Sequence, residues 1–236
     1  MWGQMKLNAE RASPHSDGGA RLMVERLKRL AQARPKLEIH LIGHSAGAIV
    51  LGALLKPLRD AGLTAASLRL FAPACTVRYA LDHYRPALNA GTLDPKHWHM
   101  HVLSDANERD DSVGPYCKSL LYLVSRSFED SHKMALLGMD RALDAAYAAS
   151  VASDDMWAPD RIADVREWIK FWSGLGIDDT NRAAHVLARP SVSTGAGSIR
   201  ASHGCFDNPI DIVGDALGYT VNPKNPVRVK IHRLDY

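Results

Sequence analysis

The stretch Leu37 to Leu55, LEIHLIGHSAGAIVLGALL, constrains this chain more than any other. It opens on a run of β-branched and leucine residues, Leu37, Ile39, Leu41 and Ile42, which predicts a buried strand. Gly43-His44-Ser45-Ala46-Gly47 then breaks the run, and a small, apolar helix follows. A strand that meets a helix through so short a link must turn sharply. The expectation is a serine on a strained turn with its hydroxyl lifted clear of the sheet, and glycines at 43 and 47 where any side chain would collide. The same turn sets the backbone N–H of Ala46 at a helix N-terminus, where an oxyanion can form.

The rest of the chain reads as alternating strands and helices. Met1 to Ala12 predicts a helix, and Ser13 to Gly19 a polar break. Ala20 to Ala33 predicts an amphipathic helix with Met23, Leu27 and Leu30 on one stripe, ended by Pro35. After the helix that follows Gly47, strands are expected at Ser67 to Ala72 and His97 to Ser104. A helix broken near Pro86 should join them. An acidic loop, Asp105 to Asp111, and a helix from Tyr116 to Glu129 come next. Residues 130 to 190 read as a helical insertion or lid, with Pro159 opening an amphipathic helix that carries Trp168 and Trp172. Gly197 to Ala201 is a short strand candidate, Asn208-Pro209 starts a helix, and Val227 to Leu234 alternates like an edge strand. The expected fold class is α/β, a mostly parallel β-sheet with helices on both faces in one domain.

Composition excludes more than it assigns. At 236 residues, with 46% hydrophobic and 23% charged content and a net charge of +3, nothing points to a nucleic-acid surface. No apolar stretch is long enough for a membrane span, and the first residues lack the apolar core of a signal peptide. Cys75, Cys117 and Cys205 have neither framework nor CxxC spacing, which suits a reducing compartment, so a cytoplasmic location is expected.

The chemistry starts at Ser45. Gly-x-Ser-x-Gly between strand and helix is the signature of a nucleophile elbow. A serine hydroxyl needs a histidine to take its proton and an acid to orient that histidine. The chain resembles the C-terminal two-thirds of an α/β-hydrolase, carried by IHLIGHSAG, by the acidic loop before Val113-Gly114-Pro115, and by SHGCFDN. The resemblance spans Leu37 to Leu217 and implies an acyl-enzyme mechanism without metal or organic cofactor. It makes Ser45 the nucleophile, His203 the general base and then acid, and the Ala46 N–H one oxyanion donor. The acid is Asp110 or Asp111, with a lean to Asp111 and Asp105 third.

His97, His99 and His101, at i, i+2 and i+4 of one strand, are a second candidate, a zinc site on one strand face. The chain also departs from the resemblance. Residues 1–36 read as two helices and a linker where such a fold has several strands, one of which leads to the second oxyanion donor. Either the true protein begins further upstream or this is a hydrolase naturally shortened at its N-terminus, and the expectation is a weakened or missing oxyanion hole that costs about 10²- to 10³-fold in rate per lost donor. The elbow strand would leave a sheet edge open to pairing or homo-oligomerisation. The substrate class is a small acyl compound, an ester before a thioester or amide; the rival reading is a non-catalytic, hydrolase-like binding or scaffolding domain.

Overall fold

The computed structural model describes residues 2–12, 17–150, 156–175, 184–222 and 225–234. Four parallel strands form the main sheet in the order β1 (His40–His44), β2 (Ser67–Phe71), β3 (Trp98–Leu103) and β4 (Ala184–Leu187). Helix α1 (Trp2–Arg11) and α2 (Gly19–Ala33) precede it. Helix α3 (Gly47–Asp60) joins β1 to β2, and α4 (Val77–Asn89) leads towards β3. After β3 come α5 (Asp105–Asp110), α6 (Leu120–Leu123) with a wider turn over Val124–Phe128, α7 (Ala145–Ser150) and α8 (Pro159–Ser173). A separate antiparallel hairpin, β5 (Ser191–Ser193) and β6 (Ser198–Arg200), and α9 (Ile210–Val221) complete the order.

Alternation of side chains assigns the two faces. Leu41, Leu68 and Trp98 lie in register on one face, where Trp98 packs on Tyr84 of α4 and on Trp168 and Trp172 of α8. Ile42, Arg69 and His99 lie in register on the other, where Tyr219 of α9 covers Arg69 and His99. Both faces carry helices. The first face holds the larger core, with Leu55, Leu58, Leu81, Tyr84 and Trp98 wholly buried. At about 25 cal/mol per Å² of apolar surface, side chains of this size are what drive the collapse. No described helix is long and apolar enough to cross a membrane.

Several expectations are corrected. The stretch expected to be a helical insertion, residues 130 to 190, ends in a strand, β4, which pairs with β3; the candidate at Gly197 to Ala201 became β6, in the hairpin and outside the main sheet. The tail from Val227 is extended but, among the described residues, forms no ladder with a strand, though Leu234 N–H donates to Thr194 C=O at 3.1 Å. The tail lies on α9, where Gly214 and Gly218 let the carbonyls of Val229 and Val227 approach the helix, and Val229 N–H donates to Gly214 C=O at 3.0 Å. Pro86 does not break α4, which runs on to Asn89. Asp105–Asp110 is a short helix, capped by Ser104, where a loop was expected. The helix predicted from Tyr116 starts only at Leu120, where Ser119 caps it. On α2 it is Val24 that is buried, while Met23 and Leu30 face outwards. Trp157 and Trp168, in contrast, are core residues, as their stripe suggested more readily than a lid. Of the polar break after α1, residues 13–16 lie outside the described residues.

Candidate active site

Strand β1 ends at His44, and Ser45 turns the chain into α3 with a φ of 52°, a left-handed value that costs a non-glycine residue free energy. Three backbone hydrogen bonds hold it there. The Ser45 N–H donates to Phe71 C=O at 2.9 Å, and the Ser45 C=O accepts from Ala48 N–H at 3.2 Å and from Ala74 N–H at 3.0 Å. Gly43 is required for space, since a Cβ there would stand 2.7 Å from Leu51 Cδ1 and 3.1 Å from the Gly47 carbonyl carbon. Gly47 is different: a Cβ there meets nothing within 4 Å, so the collision expected at that position is absent.

His203 reaches this turn from the far end of the chain. It opens a short 3-10 turn, His203–Cys205, just after β6, and its ring is buried. Its Nε2 lies 2.9 Å from Ser45 Oγ. With Nε2 as acceptor, the Ser45 hydroxyl donates and the ring proton sits on Nδ1. Burial, and then the neighbouring His44, lower the His203 pKa to about 4, so the imidazole is neutral near pH 7 and free to take a proton.

Asp111 also arrives, but not at the imidazole. Its Oδ2 accepts the backbone N–H of His203 at 2.8 Å, and its Oδ1 accepts the N–H of Ser112 at 2.8 Å. His203 Nδ1 has no hydrogen-bond partner among the described residues. The carboxylate therefore fixes where the His203 backbone sits without touching the ring nitrogen. The other two acids are engaged elsewhere. Asp110 is exposed and pairs with Arg200 of β6 at 2.7 Å. Asp105 accepts from Tyr122 Oη at 2.5 Å and from Arg109 at 2.9 Å.

His44, noted in the sequence only as the variable residue of the turn, has a second contact. Its Nε2 donates to His203 C=O at 2.9 Å, and the two rings stack with centroids 5.2 Å apart. The His203 main chain is thus held from both sides, by Asp111 at its N–H and by His44 at its C=O. Phe206, wholly buried, packs on both His44 and Phe71 beneath them. A contact across 159 residues leaves no local signal, so the link from His44 to His203 was not legible beforehand.

The oxyanion candidate, Ala46, caps the N-terminus of α3, whose dipole favours negative charge there. Two cavities are formed by other residues. One of about 550 Å³ is lined by Val24, Lys28, Ala53, Pro57 and His83. Another, of about 440 Å³, is lined by Lys6, Ile49, Cys75, Tyr79 and Met134. Neither has Ser45, Ala46 or His203 in its lining.

The histidine strand is not a zinc site in this geometry. His97 ends a 3-10 turn before β3, and among the described residues no three His, Cys, Asp or Glu side chains converge as metal ligands. His99 and His101 stack instead on His185 of β4. Compared with protein-family models, with curated proteins and with solved structures, the chain matches none.

Proposed function

We propose that this chain is a serine hydrolase that cleaves an acyl substrate, an ester in the first instance, through an acyl-enzyme on Ser45. The observation that carries the reading is the 2.9 Å contact between Ser45 Oγ and His203 Nε2, with the serine on a positive-φ turn at the end of a strand. Strain of that kind concentrates where chemistry needs a side chain presented in one orientation. His203 takes the hydroxyl proton as Oγ attacks the carbonyl carbon, and the oxygen that becomes negative faces the Ala46 N–H. The imidazolium then protonates the leaving alcohol. Water repeats the sequence on the acyl-enzyme, and Ser45 leaves with its proton restored. The fold on which this rests is α/β with a parallel sheet; its assignment to the α/β-hydrolase fold is part of the proposal.

A second reading, a hydrolase-like domain that binds without turnover, is favoured by one observation: His203 Nδ1 is buried without a partner, so nothing opposite it stabilises an imidazolium. A fluorophosphonate probe distinguishes the two. The chain should label covalently, and Ser45→Ala should abolish labelling. A folded chain that resists the probe while a general serine hydrolase labels under the same conditions would leave the binding reading.

A further inference from the structure

The face of the sheet under α9 carries a row of polar side chains that the hydrolase reading does not use. Arg69, in the middle of β2, is 1% exposed, and the described residues offer its Nε and Nη2 no acceptor. Its in-register neighbour on β3, His99, is 2% exposed, and among the described residues neither ring nitrogen makes a hydrogen bond of ordinary geometry, although the Lys96 backbone lies near enough to act on the ring. Next along β3, His101 has a buried Nε2 that is also unpartnered. Tyr219 lies over the guanidinium, 3.8 Å from carbon to ring centroid, which leaves the in-plane N–H groups of Arg69 to look for an acceptor elsewhere.

The obvious carboxylate is already committed. Asp215 sits close enough to act on Arg69, yet its two oxygens accept from Arg228 Nε at 2.6 Å and Nη2 at 2.8 Å. Asp215 and Tyr219 thus act on Arg69 from nearby, but a buried guanidinium whose Nε and Nη2 make no hydrogen bond among the described residues is still a costly arrangement for a fold to hold. Nε–H and the adjacent Nη2–H point the same way, and together they are the side-on edge with which arginine grips two oxygens of one oxyanion. Those are the two atoms left over. Burial and the nearby Arg69 keep His99 neutral, so it brings a further N–H without adding charge. Exposed side chains flank one side of the row. On β1, the edge strand, Ile42 is the in-register neighbour of Arg69 and is 49% exposed, and Val221 in the last turn of α9 is 77% exposed.

We propose that Arg69 and His99 form a binding site for a small oxyanion, phosphate or a free carboxylate, entered from the β1 side beneath the last turn of α9. The anion bridges the Nε–Nη2 edge of Arg69 and one ring nitrogen of His99, and supplies the acceptor this row lacks. The site is independent of Ser45 and stands or falls apart from the hydrolase reading.

Phosphate and acetate, each titrated against chloride at constant ionic strength, are the probes, with thermal midpoint and the Arg69 Nε–H resonance of ¹⁵N-arginine-labelled protein as readouts. Saturable stabilisation, together with a shift of that resonance, is the expected result. In Arg69→Met both effects should vanish, and in Arg69→Lys, which keeps the charge but not the fork, the midpoint titration should show binding weakened about tenfold. Arg69→Met exchanges an unpaired charge for apolar volume and should fold; Arg69→Lys and His99→Gln keep the test alive if it does not. No saturable shift in the parent chain, or the same shift in Arg69→Met, would overturn the site. Sedimentation of the same samples adds one more outcome. Self-association that Arg69→Met abolishes, without any response to free anions, would mean that a carboxylate of a second copy fills the place, and the free-anion site would be wrong.

Discussion

At the scale of single residues, the proposed mechanism divides the site into groups that would touch the reacting atoms and groups that hold them. Ser45 and His203 belong to the first kind, and Asp111 and His44 to the second, since both bind the His203 main chain. That division carries a graded prediction for an ester substrate. Ser45→Ala and His203→Gln should each remove about 10⁴-fold or more of kcat, as loss of a nucleophile or its base does. Asp111→Asn should cost far less, about tenfold, because the amide oxygen can still accept the His203 N–H and no ring hydrogen bond is lost. Esterase rates of the three variants, with each fold checked by circular dichroism, decide the matter. A loss of about 10⁴-fold in Asp111→Asn would instead mean that the carboxylate swings to His203 Nδ1 when substrate binds. The acid was legible in the sequence as a type and a neighbourhood, Asp110 or Asp111. Its partner atom was not, because a difference of one bond between main chain and ring leaves no trace in a motif.

At the scale of elements, legibility followed how local the determining signal was. The run from β1 through the Ser45 turn to α3 was plain, because hydrophobic period, glycine and serine all lie within 19 residues. Strand β4 was not. Its four residues AHVL carry no alternation, and it exists because β3 offers a free edge across about 80 residues of chain. The tail misled in the opposite sense: Val227, Val229 and Ile231 alternate like a strand, but the small face of α9 at Gly214 and Gly218 offers an extended chain a closer seat. Glycine roles divide the same way. Gly43→Ala must push Leu51 and the Gly47 backbone aside, and should destabilise by about 1–3 kcal/mol. Gly47→Ala enters open space in the first turn of a helix, and should be neutral or stabilise by about 0.4–1 kcal/mol. Urea denaturation of both variants tests the pair; equal destabilisation would show that the turn needs glycine at 47 for its backbone and not for room.

At the scale of the whole molecule, buried titratable groups set how stability depends on pH. His99, His101 and His203 are all held neutral by burial, with His99 lowered to about 3 and His203 to about 4. The unfolded chain protonates each near 6.5, so between that value and the folded one the unfolded state binds more protons. Their contribution is therefore fully present above about pH 6.5 and is lost as pH falls below it. Glu108 acts the other way. Burial raises it to about 8 despite the hydrogen bond from Ser119, so the folded state holds its proton while the unfolded carboxyl, near 4.5, has lost it. Its contribution is present at low pH and is lost as pH rises towards 8. His83 is lowered in the same way, and Asp140 and Asp164 are raised like Glu108, so below pH 6.5 four histidines oppose these carboxyls, and above it Glu108 dominates. Stability should then peak near pH 6.5, falling towards pH 5 and, less steeply, towards pH 8. Urea midpoints measured at these three pH values locate the peak, and two variants separate its sides. His99→Gln should flatten the acid side by removing one of the four bases, while Glu108→Gln should flatten the rise between pH 8 and pH 6.5 and leave the histidine contribution in place. A midpoint in the parent chain that climbs steadily from pH 5 to pH 8 would mean that Glu108 is ionised in the folded state, and with it that the Ser119 hydroxyl donates to a carboxylate.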